Sequence, residues 1–177
     1  MSETRLCRAH TADWILRRVM TINLEITKIY VFDDVRMYSS YSGAKNSDEE
    51  AYERIRAVDD DDYLLQRFWT EACNGATERL KPFLRSVSAQ PTQSARQRID
   101  MTQDYKVTLE VSSSYDATLT ESVQTSLHSY FVNYMVSRWY KFTNKEETEN
   151  YGNDAVAAMD DVMRKIYNKK KPVRIVV

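Results

Sequence analysis

Three glycines and three prolines are spread over 177 residues, and that scarcity of breakers constrains the fold more than any other feature. A chain with so few positions for tight turns must run in long regular elements, and long helices meet that demand with the fewest connections. The apolar residues agree. In "DDYLLQRFWTEACNGATERLKPFLRSV" they fall at Leu65, Phe68, Trp69, Ala72, Ala76, Leu80, Phe83 and Val87, steps of three and four that make a core-facing stripe. Asp59 to Asp62 lie just upstream, where carboxylates cap free N–H groups and complement the helix dipole. Pro82 predicts a kink or a restart of this helix.

Two further helices follow. "LTESVQTSLHSYFVNYMVSRWYKF" places Leu119, Val123, Leu127, Tyr130, Phe131, Tyr134, Met135, Arg138 and Phe142 on one broad face, with Val132, Val136 and Tyr140 on another. A helix apolar around so much of its girth is sandwiched between neighbours. In "KEETENYGNDAVAAMDDVMRKIYNKK" the stripe is Tyr151, Ala155, Ala158, Met159, Val162 and Ile166, acids lead and lysines trail. The short "TNKE" linker predicts that these two helices fold back as an antiparallel hairpin.

Two segments break the helical period. Met20, Ile22, Leu24 and Ile26 alternate with Thr21, Asn23 and Glu25, and Tyr105, Val107, Leu109 and Val111 alternate with Lys106, Thr108 and Glu110. Both carry the period-2 signature of a strand with one buried face, and their pairing makes a small sheet. A shift of pattern near Lys28 and Ile29 predicts a bulge or bend in the first strand. "SVSAQPTQSARQR" reads as an exposed loop. The fold class is therefore α+β, mostly α: about three long helices as the core, with a small antiparallel sheet from an N-terminal and a central strand. We expect a single domain over 1–177, with a strand region and Tyr/Ser loop in 1–46, a helical core with the central strand in 47–168, and a tail in 169–177.

The chemical inventory is thin. His10 and His128 lack a second histidine at metal-binding spacing, and Cys7 and Cys73 are not spaced as a ligand pair or disulfide framework. Asp59 to Asp62 lack the glycine at the sixth position that a calcium loop needs, since Leu64 stands there. No glycine-rich phosphate loop or nucleophile elbow occurs. We expect no catalysis, metal, cofactor or small-molecule substrate; the enzyme alternative is a metal-dependent nuclease built on Asp59 to Asp62. A net charge of −1 leaves nucleic acid at most an incidental contact, and no apolar run reaches the length of a membrane span.

Contacts are better represented than chemistry. Twelve tyrosines stand against five phenylalanines, and tyrosine combines large contact area with a polar tip. In "MYSSYSGAKN", Tyr38 and Tyr41 are flanked by serines and Gly43 and read as a loop offering a contact surface. The apolar, β-branched tail "VRIVV" follows Pro172, and Val173, Ile175 and Val176 are candidates for strand addition to an edge at home or on a neighbour.

"AVDDDDYLLQRFWTEACNGATERLKPFL" resembles the acidic start and first long helix of tailed-phage head–tail connector (head-completion) proteins. "SVQTSLHSYFVNYMVSRWYKFTNKEE" resembles their later helix, which ends in an aromatic, a basic residue and an acidic turn. The resemblance covers Asp59 to Leu84 and Ser122 to Glu147. It implies a ring-forming virion protein, made in the bacterial cytoplasm, that contacts itself and portal or tail proteins. The tail and the Tyr/Ser segment would then be natural contact residues. The alternative is a soluble bacterial helical adaptor or regulator with a single protein partner.

Overall fold

The computed structural model describes residues 19–44, 49–88 and 104–170. Strand β1 (Val19–Ile26) leads into helix α1 (Lys28–Ala44), then come short α2 (Glu49–Ile55), α3 (Asp62–Leu80), β2 (Leu84–Ser88), β3 (Tyr105–Ser112), α4 (Thr120–Thr143) and α5 (Lys145–Tyr167). The fold is α+β and mostly helical, with four long helices, one short helix and a three-stranded antiparallel sheet among the described residues. His10, Cys7 and residues 89–98 of the expected loop lie outside them.

The sheet has the order β1-β3-β2. β1 and β3, 79 residues apart at their paired ends Ile26 and Tyr105, run in unbroken register from Val19↔Ser112 to Ile26↔Tyr105. Alternation sorts the two faces. Ile22, Leu24, Ile26, Tyr105, Val107, Leu109 and Val111 are buried. On the other face Lys106 Nζ meets Glu25 Oε1 at 2.7 Å and Thr108 Oγ1 donates to Asn23 Oδ1 at 2.9 Å. Cross-strand pairs of this kind contribute roughly 0.2–1 kcal/mol each.

Three local expectations are corrected. The pattern shift after Ile26 is no bulge: the strand stops and α1 begins at Lys28. Its first N–H is capped by a remote residue, Lys28 N donating to Asp104 Oδ1 at 3.0 Å. The Tyr/Ser segment is accordingly helical through Ala44. At Pro82 the helix neither kinks nor restarts; a 3-10 turn, Lys81–Phe83, delivers the chain into β2, which takes Ser86–Ser88 from the expected loop. Proline cannot donate to the helical ladder but is tolerated in such a turn.

Helix α4 is the central column. It packs against α1, α3, α5 and β1, which is why its apolar residues encircle it. Phe131, fully buried, has its ring centroid 4.8 Å from Trp69, 5.1 Å from Tyr105 and 5.5 Å from Tyr130. One side chain thus joins α3, the sheet and α4, each ring contact adding about 0.5–1.5 kcal/mol beyond area burial. Phe142, expected on the core face, instead stacks on Phe68 at 6.3 Å and stays 69% exposed.

The α4–α5 hairpin turns on Asn144 alone. Close approach is permitted by Gly152, where a Cβ would stand 3.3 Å from Ser137 Oγ, and Ser137 Oγ donates to Thr148 O at 3.1 Å. At the far end Lys165 Nζ donates to Ser126 Oγ at 2.7 Å and pairs with Asp161.

Candidate interaction surface

The segment "MYSSYSGAKN" as far as Ala44 forms the C-terminal half of α1, and it presents two different faces. Ser39, Ser42 and Gly43 face inward. Ser39 is fully buried; its hydroxyl donates to Arg36 O at 2.9 Å and accepts from Ala57 N at 3.0 Å, tying α1 to the end of α2. Ser42 Oγ donates to Glu147 Oε2 at 3.1 Å and accepts from Asn144 Nδ2 at 3.3 Å, which fixes α1 against the hairpin turn. At Gly43 any Cβ would come 2.9 Å from Tyr52 Cδ2 and 3.3 Å from Tyr52 O, so α1 and α2 approach as only glycine allows.

Tyr38 lies between the two faces. Its carbonyl accepts from Tyr140 Oη at 3.1 Å, and its ring stands edge-on to Tyr151 at 6.1 Å. Tyr140 and Tyr151 are themselves edge-on at 5.3 Å. Burial pushes the Tyr140 hydroxyl up to about 12 and raises Tyr151 in the same direction. This tyrosine cluster is packing beneath α1.

The outward face is different. Ile29 is 62% exposed, Tyr30 65%, Met37 58% and Tyr41 66%. Their spacing brings Tyr30, Met37 and Tyr41 within about 40° of one another on the side opposite Val31, Val35 and Ser39, at roughly 100° per residue. Acids edge this strip. Asp33 pairs with Arg36 at 3.5 Å, and Asp34 Oδ2 lies 2.9 Å from His128 Nε2. Arg36 also meets Asp59 at 3.2 Å and Asp62, closing α1 against the start of α3. A cavity of about 490 Å³ runs along this flank, lined by Arg36, Ser40, Arg56, Val58, Asp59 and Asp60.

The sequence-derived candidates therefore fare unequally. Tyr41 is on the outward strip, Tyr38 is half-engaged in packing, and Val173, Ile175 and Val176 lie outside the described residues. Sequence reasoning misses Ile29, Tyr30 and Met37, because the pattern shift near Ile29 reads as a bend in the first strand and Met37 falls in the segment that reads as a loop. A helical period counted from Ile29 through Asp33 and Met37 to Tyr41 carries the signal.

Other chemistry-bearing residues are engaged structurally. Asp61 Oδ2 accepts from Val58 N at 3.0 Å at the entry to α3. His128, which lacks a second histidine at metal-binding spacing, is engaged by Asp34, 94 residues away in sequence. Cys73 is buried and its thiol is pushed up to about 12 by burial, far from the thiolate form that reacts. Among the described residues no three His, Cys, Asp or Glu side chains gather into a metal site, and no helix is long and apolar enough to cross a membrane.

Comparison with family models, with curated proteins and with solved structures finds no match to this chain.

Proposed function

We propose that this chain is a structural assembly protein acting through oligomeric protein–protein contacts, and within that class a head–tail connector of a tailed phage or prophage. The observation that carries the reading is the outward face of α1. Ile29, Tyr30, Met37 and Tyr41 are exposed on it while Ser39 and Ser42 of the same helix are buried. Apolar side chains scattered singly over a surface are normal, whereas several large ones gathered on one helix face beside charged residues suit a contact surface. The resemblance of residues 59–84 and 122–147 to connector helices supplies the narrower identification, and these residues form α3 with its flanking 3-10 turns, most of α4 and the α4–α5 turn.

In this reading the protein does no catalysis. It is made in the bacterial cytoplasm and ends in the virion, contacting copies of itself and portal or tail proteins. Native mass spectrometry with negative-stain imaging, on the chain alone and with a portal protein, tests it. Closed rings, in solution or on the portal, are expected. A one-to-one complex with a single bacterial protein supports an adaptor instead, and a persistent monomer under both conditions removes the connector reading.

A further inference from the structure

Resting on the assembly reading, we propose that the outward strip of α1 receives the C-terminal tail of a second copy, so that copies join head to tail. The receiving strip has Tyr30, Met37 and Tyr41 at its centre and Asp33 and Asp34 at its edges, paired with Arg36 and His128; the flanking cavity wall carries Asp59 and Asp60 beside Arg36 and Arg56, so with Asp33 and Asp34 four carboxylates stand against two guanidinium groups. The tail carries the complement. From Asn168 to Val177 the chain holds Lys169, Lys170, Lys171 and Arg174 and no acid, and Val173, Ile175, Val176 and Val177 supply apolar, β-branched side chains. Lengths also match: Tyr30 to Tyr41 spans about 16 Å of helix at roughly 1.5 Å per residue, and five extended residues reach about 17 Å.

Geometry assigns the tail to another copy. The tail leaves at the N-terminal end of α4, where Lys169 bridges to Tyr115 and Lys170 N donates to Ser114 O at 2.8 Å. The Tyr41 end of the strip lies at the opposite end of α4, because the adjacent Ser42 accepts from Asn144 Nδ2 at 3.3 Å. Those two ends of α4 are about 36 Å apart at roughly 1.5 Å per residue. The seven residues from Lys171 to Val177 extend at most about 25 Å. A chain's own "VRIVV" cannot lie across its own Met37 and Tyr41.

Two different patches on each copy make a heterologous contact, which propagates into a ring when its rotation closes. A five-residue segment falls short of the roughly 1,200 Å² of a stable interface, so one contact alone is weak. In a closed ring every copy makes two, and closure multiplies their effect.

The test uses the full chain with Cys7→Ser throughout. Met37→Cys copies are mixed with mass-tagged Ile175→Cys copies under mild oxidation, and native mass spectrometry follows Met37→Glu/Tyr41→Glu and Ile175→Asp/Val176→Asp alongside the wild type. We expect a disulfide-linked heterodimer at least tenfold above either variant alone, and collapse of wild-type oligomers to monomer in both charged variants. Because all four positions are outside the packed core or in the tail, unchanged urea midpoints for the charged variants are expected and separate lost contact from lost folding. Oligomers that persist in either charged variant, or fail to cross-link, overturn the pairing while leaving assembly intact. A disulfide within single Met37→Cys/Ile175→Cys chains, without dimers, overturns it in favour of home docking. A wild type that stays monomeric alone and with portal defeats the assembly reading itself.

Discussion

Helices α1 and α5 both pack on α4 and touch each other through Tyr38 and Tyr151, and they end at their outer faces in opposite ways. α5 buries a narrow stripe of Ala155, Met159, Val162 and Ile166 and shows Glu149, Asp154, Asp160 and Arg164 outward. Its charges are used at home: Asp161 engages Lys165, Arg164 and Ser126, and these partners hold its carboxyl down at about 2. α1 buries Val31, Phe32 and Val35 together with Ser39, Ser42 and Gly43, and shows Tyr30, Met37 and Tyr41. An amphipathic helix of the α5 kind finishes at water. α1 is apolar on both sides, and its inner serines are affordable because each hydroxyl has a partner.

The largest effects come from the inner faces, where the two helices should behave alike. Phe32→Ala removes a ring edge-on to Trp69 at 6.4 Å and should cost about 3–5 kcal/mol. Met159→Ala should cost about 2–5 kcal/mol. Urea denaturation measures both; a loss confined to α5 would show that α1 is not part of the cooperative unit.

Next is the tyrosine layer under α1. Tyr140→Phe loses the bond to Tyr38 O and should cost about 1 kcal/mol at neutral pH. It should also change the alkaline limb. With the Tyr140 hydroxyl raised from an ordinary 10 to about 12, the folded state holds the proton more tightly than the unfolded chain. Stability is then full below pH 10 and falls as pH rises from 10 towards 12. Tyr105, also pushed up to about 12 by burial, adds to the same fall. Denaturation midpoints across this range should decline less steeply in Tyr140→Phe than in wild type.

A smaller effect belongs to the outside of the hairpin. The lowered Asp161 carboxyl stabilises the fold above its ordinary pKa of 3.8, and that contribution is lost as pH falls towards 2. Asp161→Asn should flatten that acid limb, and 1 M salt should mimic it only weakly, since the Asp161–Lys165 pair is partly buried. Smallest of all for stability are the outer faces. Met37→Glu on α1 and Val156→Glu on α5 should each stay within about 0.5 kcal/mol of wild type. Only Met37→Glu should reduce the assembled mass in native mass spectrometry, and equal behaviour of the two would erase the distinction between the helices.

How legible this was differs element by element. α3, α4 and α5 could be read because each repeats its apolar residues over about four or more turns, and a sustained period is a strong local signal. The β1–β3 pairing followed from two clean alternations. The fourth long helix and the third strand could not be read. α1 begins without a local breaker and takes its cap from Asp104, 76 residues away. Its Ser39, Ser42 and Gly43 have the composition of a turn, yet they are satisfied by Ala57, Glu147, Asn144 and the close approach of Tyr52.

The sequence by itself therefore determined the class of fold, the central helix with its hairpin, and the inner face of the sheet, because hydrophobic periodicity is written locally. The tertiary structure alone decided that "MYSSYSGA" is helical and which of its side chains look outward. Hydrogen bonds and close contacts from remote residues outweighed local turn propensity there, and no local pattern records who a serine's partner will be.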